Sequence, residues 1–267
     1  MPNTHRLSPD SPINLDAISA DGKQFHDDRD SAEAEFKALR AELRDWQYRL
    51  YAEDKQKLLV VFQAMDAGGK DGTIRRVFQG VNPQGVKVTS FKAPTSEELA
   101  HDYLWRIHKE VPAKGDIRIF NRSHYEDVLV VRVDHIVPEA VWRPRYEQIN
   151  QFEKLLSDTG TRILKFYLHI DKEEQRERLQ ARLDDPSKNW KFELGDLDKR
   201  KQWEDYMDAY QEMLSRCSTE YAPWYVIPAN QKWYRNLAIA RVLVDTLKEM
   251  NPQYPKPKGD FSDVVIS

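Results

Sequence analysis

Short apolar runs alternate along this chain with longer segments whose apolar residues return every three or four positions, and that alternation predicts strands separated by helices. Phe36, Leu39, Leu43, Trp46 and Leu50 predict an amphipathic helix over residues 31–51, with Asp30 and Glu33 as its capping box. Leu58 to Phe62 is a continuous apolar run and reads as a buried strand. Val86 to Phe91 alternates as a second strand, Asp116 to Phe120 supplies a third, Ile163 to Ile170 a fourth and Pro223 to Pro228 a short fifth. Between them, Thr95 and Glu98 form a capping box for a helix with Leu99, Tyr103, Leu104 and Ile107 on one face. Val128 to Val133 fits strand or helix by periodicity, and its place after a strand and turn favours helix. Residues 139–157 place Tyr146, Ile149, Phe152, Leu155 and Leu156 on one helical face, with Gly160 at the C-cap, and Leu237, Ala240, Val244 and Leu247 mark a terminal helix. The order implies an α/β fold, a five-stranded parallel sheet covered on both faces, with ligands at the carboxyl ends of the strands.

The first strand ends abruptly in Asp66, Ala67, Gly68, Gly69, Lys70, Asp71, Gly72 and Thr73. Gly68, Gly69 and Gly72 permit backbone conformations that turn several N–H groups into one concavity, Lys70 adds a mobile charge, and Ile74, Val77 and Phe78 continue as a helix whose N-terminus faces the anion. This is close to a P-loop, with Ala64 in place of the first glycine and Asp71 in place of the Ser or Thr that binds Mg²⁺. Asp66 becomes the candidate replacement metal ligand.

Composition narrows the partners. With 41 Lys and Arg against 44 Asp and Glu, net charge −3, the chain has no general affinity for nucleic acid, so a basic track for a polyanion must be local. One cysteine, Cys217, excludes an intrachain disulfide and fits a reducing compartment. No apolar stretch is long enough to span a bilayer and MPNTHRLSPDSP lacks a signal-peptide core, so no membrane association and a cytoplasmic location are expected. Residues 1–29 read as an arm in which INLDAI docks on a neighbour, 30–250 as the P-loop domain, and 251–267 as a Pro-rich tail.

The third strand delivers a second cluster to the same end of the sheet: Asn121, Arg122, Ser123, His124, Tyr125 and Glu126. P-loop folds place a metal-holding carboxylate there; here Asn121 is neutral, so Asp66 and Glu126 carry more of the metal's charge. Arg122 offers a bidentate fork for phosphate oxygens. After the fourth strand, Arg178 and Arg182 share a helical face, with Arg176 nearby and Lys188 and Lys191 beyond a proline break, a composition suited to a mobile phosphate-binding lid over about 172–205. The interleaved Glu173, Glu174 and Glu177 also fit an ordinary solvated helix. His124 reads as structural, and Tyr103, Trp105 and Tyr125 are candidates for stacking on a base.

MDAGGKDGTIRRVFQGVNPQG, KAPTSEELAHDYLWR, IFNRSHYEDVLVVRV, DPSKNWKF and DLDKRKQWEDY together resemble the polyphosphate kinase 2 family of P-loop kinases, from about Phe36 to Leu247. The resemblance implies a three-layer α/β/α fold with a helical lid, a homo-oligomer, and reversible phosphoryl transfer between inorganic polyphosphate and adenine or guanine nucleotides with Mg²⁺, or Mn²⁺ in its place. It implies Asp66 as metal ligand, Lys70 and Arg122 as phosphate-gripping groups, and Arg178, Arg182 and Lys191 as lid residues. Many relatives carry Asp at the position of Asn121 and Asn at that of Glu126, and the pairing here resembles class III, which accepts both mono- and diphosphates. Arg75, Arg76, Lys87 and Lys92 are expected to line a track for the polyphosphate chain. The rival readings are an ATP-dependent nucleoside monophosphate kinase of the thymidylate kinase type and a catalytically silent phosphate-binding P-loop protein.

Overall fold

A computed structural model describes residues 4–9, 11–260 and 265–266. The remaining residues of the expected arm (1–3 and 10) and tail (261–264 and 267) lie outside the described residues. Helix α1 (Arg29–Glu53) precedes β1 (Lys57–Gln63), which leads through the glycine-rich loop into α2 (Lys70–Val77). Strand β2 (Val86–Ser90), the short helices α3 (Ser96–Leu99) and α4 (Trp105–His108), and β3 (Ile117–Asn121) follow. Then come α5 (Val130–Val133), α6 (Glu139–Trp142), α7 (Arg145–Asp158), β4 (Thr161–His169), α8 (Lys172–Asp184), α9 (Gly195–Lys201), α10 (Trp203–Cys217), β5 (Trp224–Pro228) and α11 (Lys232–Met250).

The five strands are all parallel in the order β2-β3-β1-β4-β5. Leu58 to Phe62 of the central strand are wholly buried, each side chain contributing about 1.5–3 kcal/mol by leaving water. Register sets the site: Phe62 pairs with Asn121, and Asn121 with Ser90, so β1, β3 and β2 end level with one another. The arm completes the opposite edge. Leu7 N donates to Trp224 O and Val226 N to His5 O, each at 2.9 Å, covering β5. The INLDAI segment docks on this chain's own α10, Leu15 N donating to Gln211 Oε1 at 3.0 Å and Ile13 N to Ser215 Oγ at 2.9 Å.

Three local expectations change. Asp28, not Asp30, caps α1, accepting from Asp30 N at 2.9 Å. The Thr95–Glu98 capping box forms, but its helix stops at Leu99, which is exposed; Asp102 Oδ1 accepts from Leu104 N and restarts the chain as a separate turn of helix. The helix expected over 139–157 breaks before Pro144, whose ring cannot continue the ladder, and Leu155 faces solvent while Tyr146, Ile149, Phe152 and Leu156 are buried.

Candidate active site

The loop after β1 is tight for identifiable reasons. Gly69 is the N-cap of α2 at φ +98°, and a Cβ on Gly68 would lie 2.6 Å from the Ala64 Cβ. Ala67, with φ +61°, takes a left-handed conformation without being glycine. Gly72, in contrast, lies inside α2 with open space around it, so it is not one of the turn-forming glycines. Thr73 is also a helix residue: it is fully buried and its Oγ1 donates to Gly69 O at 2.9 Å, turned away from the concavity.

Lys70 Nζ donates to Ala64 O at 2.9 Å. The residue keeps some surface, but desolvation of its ammonium and the nearby Arg122 guanidinium pull its pKa down, with Asp66, Glu126 and Asp71 opposing. Arg122 reaches across from the end of β3, its own φ at +63°, and its Nη2 donates to Asp66 Oδ1 at 3.0 Å while Nη1 lies 3.6 Å from Glu126 Oε2. Asn121 Nδ2 donates to Asp71 Oδ1 at 2.6 Å and approaches Ser90 Oγ at 3.4 Å. Asp66, Lys70, Asp71, Asn121, Arg122 and Glu126 therefore form one cluster at the aligned strand ends.

A buried polar network underlies the second loop. Lys165, on β4, donates to Glu153 Oε2 at 2.5 Å, Tyr125 OH at 2.7 Å and Cys217 O at 2.7 Å. His124 Nε2 lies 3.1 Å from Glu153 Oε1, and all four side chains are fully buried. Burial lowers the pKa of His124, whereas Lys165 and His124 hold Glu153 low against its own desolvation. His124 is structural, as expected, and Tyr125 is enclosed where no base can stack on it. Trp105 is flanked by the His101 ring at 4.0 Å and Lys109 Nζ at 2.9 Å, and Tyr103 OH donates to Gln148.

The lid residues separate into two groups. Arg182 Nη1 donates to Lys191 O at 3.1 Å and lies 3.4 Å from Asp196 Oδ2, tying α8 to the exposed segment before α9. Lys191 is exposed in that segment. Arg178 is different: Nε donates to Glu174, Nη1 to Ala67 O and Gly68 O, and Nη2 to Ala229 O and Asn230 O, at 2.6–3.2 Å. Its donors are all taken within the protein, so it splints the loop after β1 to the turn after β5. Beside it Gln175 Nε2 holds Asp66 O at 3.0 Å.

The four residues of the expected track are spread over α2, β2 and the turn after β2. Lys87 sits near the start of edge strand β2, about 10 Å from the level of Ser90 at 3.3 Å per residue, and its ammonium pairs with Glu110 Oε2 at 2.7 Å. Arg75 and Arg76 are exposed on the last turn of α2, and Lys92 follows β2, its carbonyl held by Arg106 Nη1 at 2.8 Å. Arg235, which sequence reasoning missed, lies against Gly69: a Cβ there would be 2.3 Å from its Nη1. The available signal was an arginine among the apolar residues near the start of the terminal helix, WYRNLAIA.

A family model described as polyphosphate kinase 2 matches residues 26–255. The chain belongs to the polyphosphate kinase 2 family. It is 54% identical over 263 residues to the AMP/ADP-polyphosphate phosphotransferase of Meiothermus ruber, covering 98% of each chain. It is 48% identical over 226 residues to the ADP-polyphosphate phosphotransferase of Rhodopseudomonas palustris, covering 80% of this chain and 78% of that one. The crystal structure of polyphosphate kinase 2 from Arthrobacter aurescens superposes with a TM-score of 0.93 at 43% identity, covering 97% of this chain and 93% of that one. The three-layer P-loop kinase-like fold expected for polyphosphate kinase 2 is thus the fold observed. Among the described residues, no helix is long and apolar enough to cross a membrane.

Proposed function

We propose that this chain transfers phosphoryl groups from inorganic polyphosphate to AMP and ADP, carrying AMP through ADP to ATP, in a reversible reaction. The observation that carries this reading is the convergence of Lys70 and Arg122 on Asp66 at the level ends of β1 and β3, within a chain of this family. A phosphate oxygen of the acceptor attacks the terminal phosphorus of the chain, a new P–O bond forms as the old one breaks, and polyphosphate leaves one unit shorter. The acceptor oxygen is already anionic, so no general base is needed, and catalysis is positioning and charge neutralisation. Lys70 and Arg122 hold the transferring group, while Arg182 and Lys191 close over it with the lid. Arg75, Lys92 and the N–H groups of Ala67 and Gly69 offer further phosphate contacts, while the Gly68 N–H donates to Met65 O at 2.9 Å and shapes the turn.

The donor set fits Mg²⁺, with Mn²⁺ as a substitute. Asp66 is a half-buried carboxylate whose Oδ2 has no hydrogen-bond partner among the described residues, and Mg²⁺ is commonly held by one or two carboxylates plus substrate phosphates. Asp66 would be its principal ligand, assisted by Asn121 and Glu126, and the ion supplies neutralisation of charge on the phosphates. Guanine nucleotides as further acceptors, a homo-oligomeric assembly and a cytoplasmic location complete the reading. The test is ATP formation from AMP or ADP with Mg²⁺ and polyphosphate and no added ATP. Phosphorylation with ATP as the only effective donor would overturn it in favour of a nucleoside monophosphate kinase, and no turnover with either donor would leave a silent binder.

A further inference from the structure

Arg235, in the first turn of α11, is 3% exposed and forms no ion pair among the described residues. Its Nε and Nη2 share one neutral acceptor, Asn236 Oδ1, at 3.3 and 3.2 Å, and Nη1 has no acceptor among the described residues. Nη1 is the atom lying against Gly69, at the N-terminus of α2. The carboxylate facing this group, Glu174, already accepts from Arg178 Nε at 2.6 Å. Burial and the neighbouring Arg178 push the Arg235 pKa down to about 9, the signature of a cation lacking a counter-ion. Next to it is Lys232, whose pKa is also lowered, by desolvation and by Arg178, Arg235 and Lys188, with Glu174 opposing. Lys188, in the exposed segment after α8, pairs with Asp185 Oδ2 at 2.5 Å.

These groups run from the loop after β1, over the start of α11, towards the lid. Arg178 cannot serve the same purpose, since its donors are satisfied by four backbone carbonyls and Glu174. A helix N-terminus with an unpaired, buried guanidinium beside it is built for an anion. We propose that Arg235 and Lys232 form a donor-side subsite beside Gly69 that takes the phosphates of inorganic polyphosphate behind the one being transferred. This rests on the polyphosphate-dependent reading above. It places the donor chain on the α11 side of the loop, not along β2, and gives the buried arginine the counter-ion it lacks. A chain of phosphates supplies that charge at every unit, and the carboxylate facing the group, Glu174, is already taken by Arg178.

The experiment compares wild type with Arg235→Met, Arg235→Lys and Lys232→Met, measuring KM for polyphosphate, KM for ADP, melting temperature, and binding of polyphosphate alone by calorimetry. Loss of one charge-assisted contact should raise KM for polyphosphate about tenfold or more in Arg235→Met, with KM for ADP within about twofold, and Arg235→Lys should recover part of the loss. Unchanged KM for polyphosphate in a folded Arg235→Met, or equal increases for both substrates, would overturn the proposal. If Arg235→Met does not fold, Lys232→Met, altered at an exposed position, decides the matter by the same selective rise or its absence. Should wild type make no ATP from polyphosphate, the functional reading fails; the subsite then stands or falls on whether calorimetric binding of polyphosphate weakens in the variants.

Discussion

Arg122 Nη2 donates to Asp66 Oδ1 at 3.0 Å and so joins the loop after β1 to the end of β3. The bond leaves Asp66 Oδ2 available to a metal and holds the guanidinium over the loop. Asp66→Asn keeps the shape and removes the charge. Phosphorylation of ADP by polyphosphate should fall by about 10²–10³-fold, the cost of deleting one preorganised electrostatic contact, with melting temperature moved by no more than about 3 °C. Retained activity in a steady-state ATP assay would remove Asp66 from the metal site.

Chelation provides an independent check. Excess EDTA should abolish turnover with polyphosphate, and adding back Mg²⁺ or Mn²⁺ should restore it, because neither Lys70 nor Arg122 replaces the charge of a divalent ion on the phosphates. Full activity after chelation would exclude the metal role given to Asp66.

The pair formed by Lys165 and Glu153 has no access to water. Lys165→Met leaves a buried carboxylate to His124 and Tyr125 alone, and should destabilise the protein by about 3–5 kcal/mol in denaturant titration. The double variant Lys165→Met, Glu153→Leu should recover part of that loss, since removing both charges removes the desolvation cost as well. A single variant as stable as wild type would show that the network is dispensable.

Gly69→Ala tests the close approach described above. A left-handed backbone at φ +98° penalises a Cβ by about 1–2 kcal/mol, and the added methyl must also displace Arg235 Nη1. Melting temperature should drop and KM for polyphosphate should rise together. An unchanged melting curve would contradict the loop geometry.

Acid should weaken the anchoring of the arm. His5 Nε2 lies 2.6 Å from Tyr234 OH, and burial with the Arg241 charge pushes its pKa down to about 4; burial lowers His169 as well, whose Nε2 meets Ile18 O at 3.0 Å. The unfolded chain takes up these protons near pH 6.5 while the native state resists, so the unfolded state binds more protons and stability falls as pH drops from about 6.5 towards 4. Above about pH 7 both states are neutral at these sites and the dependence vanishes. Melting temperatures across this range, with His5→Phe flattening the acid slope, provide the measurement.

The path from sequence to site was short where chemistry and chain order coincide. Leu58 to Phe62 followed by Gly68, Gly69 and Lys70 identifies a strand entering an anion loop, and Arg122 falls beside it because β3 is the neighbour of β1. What depends on three-dimensional placement was harder to read. Lys87 is basic and falls between the two site loops in sequence, but a strand has two ends and it lies towards the far one from the site. Thr73 and Gly72 look like loop residues until α2 begins at Lys70. Arg178 has the composition of a lid residue and the bonding of a splint, because its backbone partners come from the turn after β5 and the loop after β1, far from it in sequence. Arg235 gives no local sign of meeting Gly69.

Ala67 and Arg122 both hold left-handed backbones that their side chains disfavour. Each is fixed from outside, Ala67 by Arg178 on its carbonyl and Arg122 by its N–H on Phe62 O. The conformational work of shaping the two loops is thereby done once, during folding, and is not repeated in every turnover. Glycine at either position would make the chain easier to fold into this shape and also freer to leave it, which shifts the question at these residues from how the site binds to how long it keeps its form.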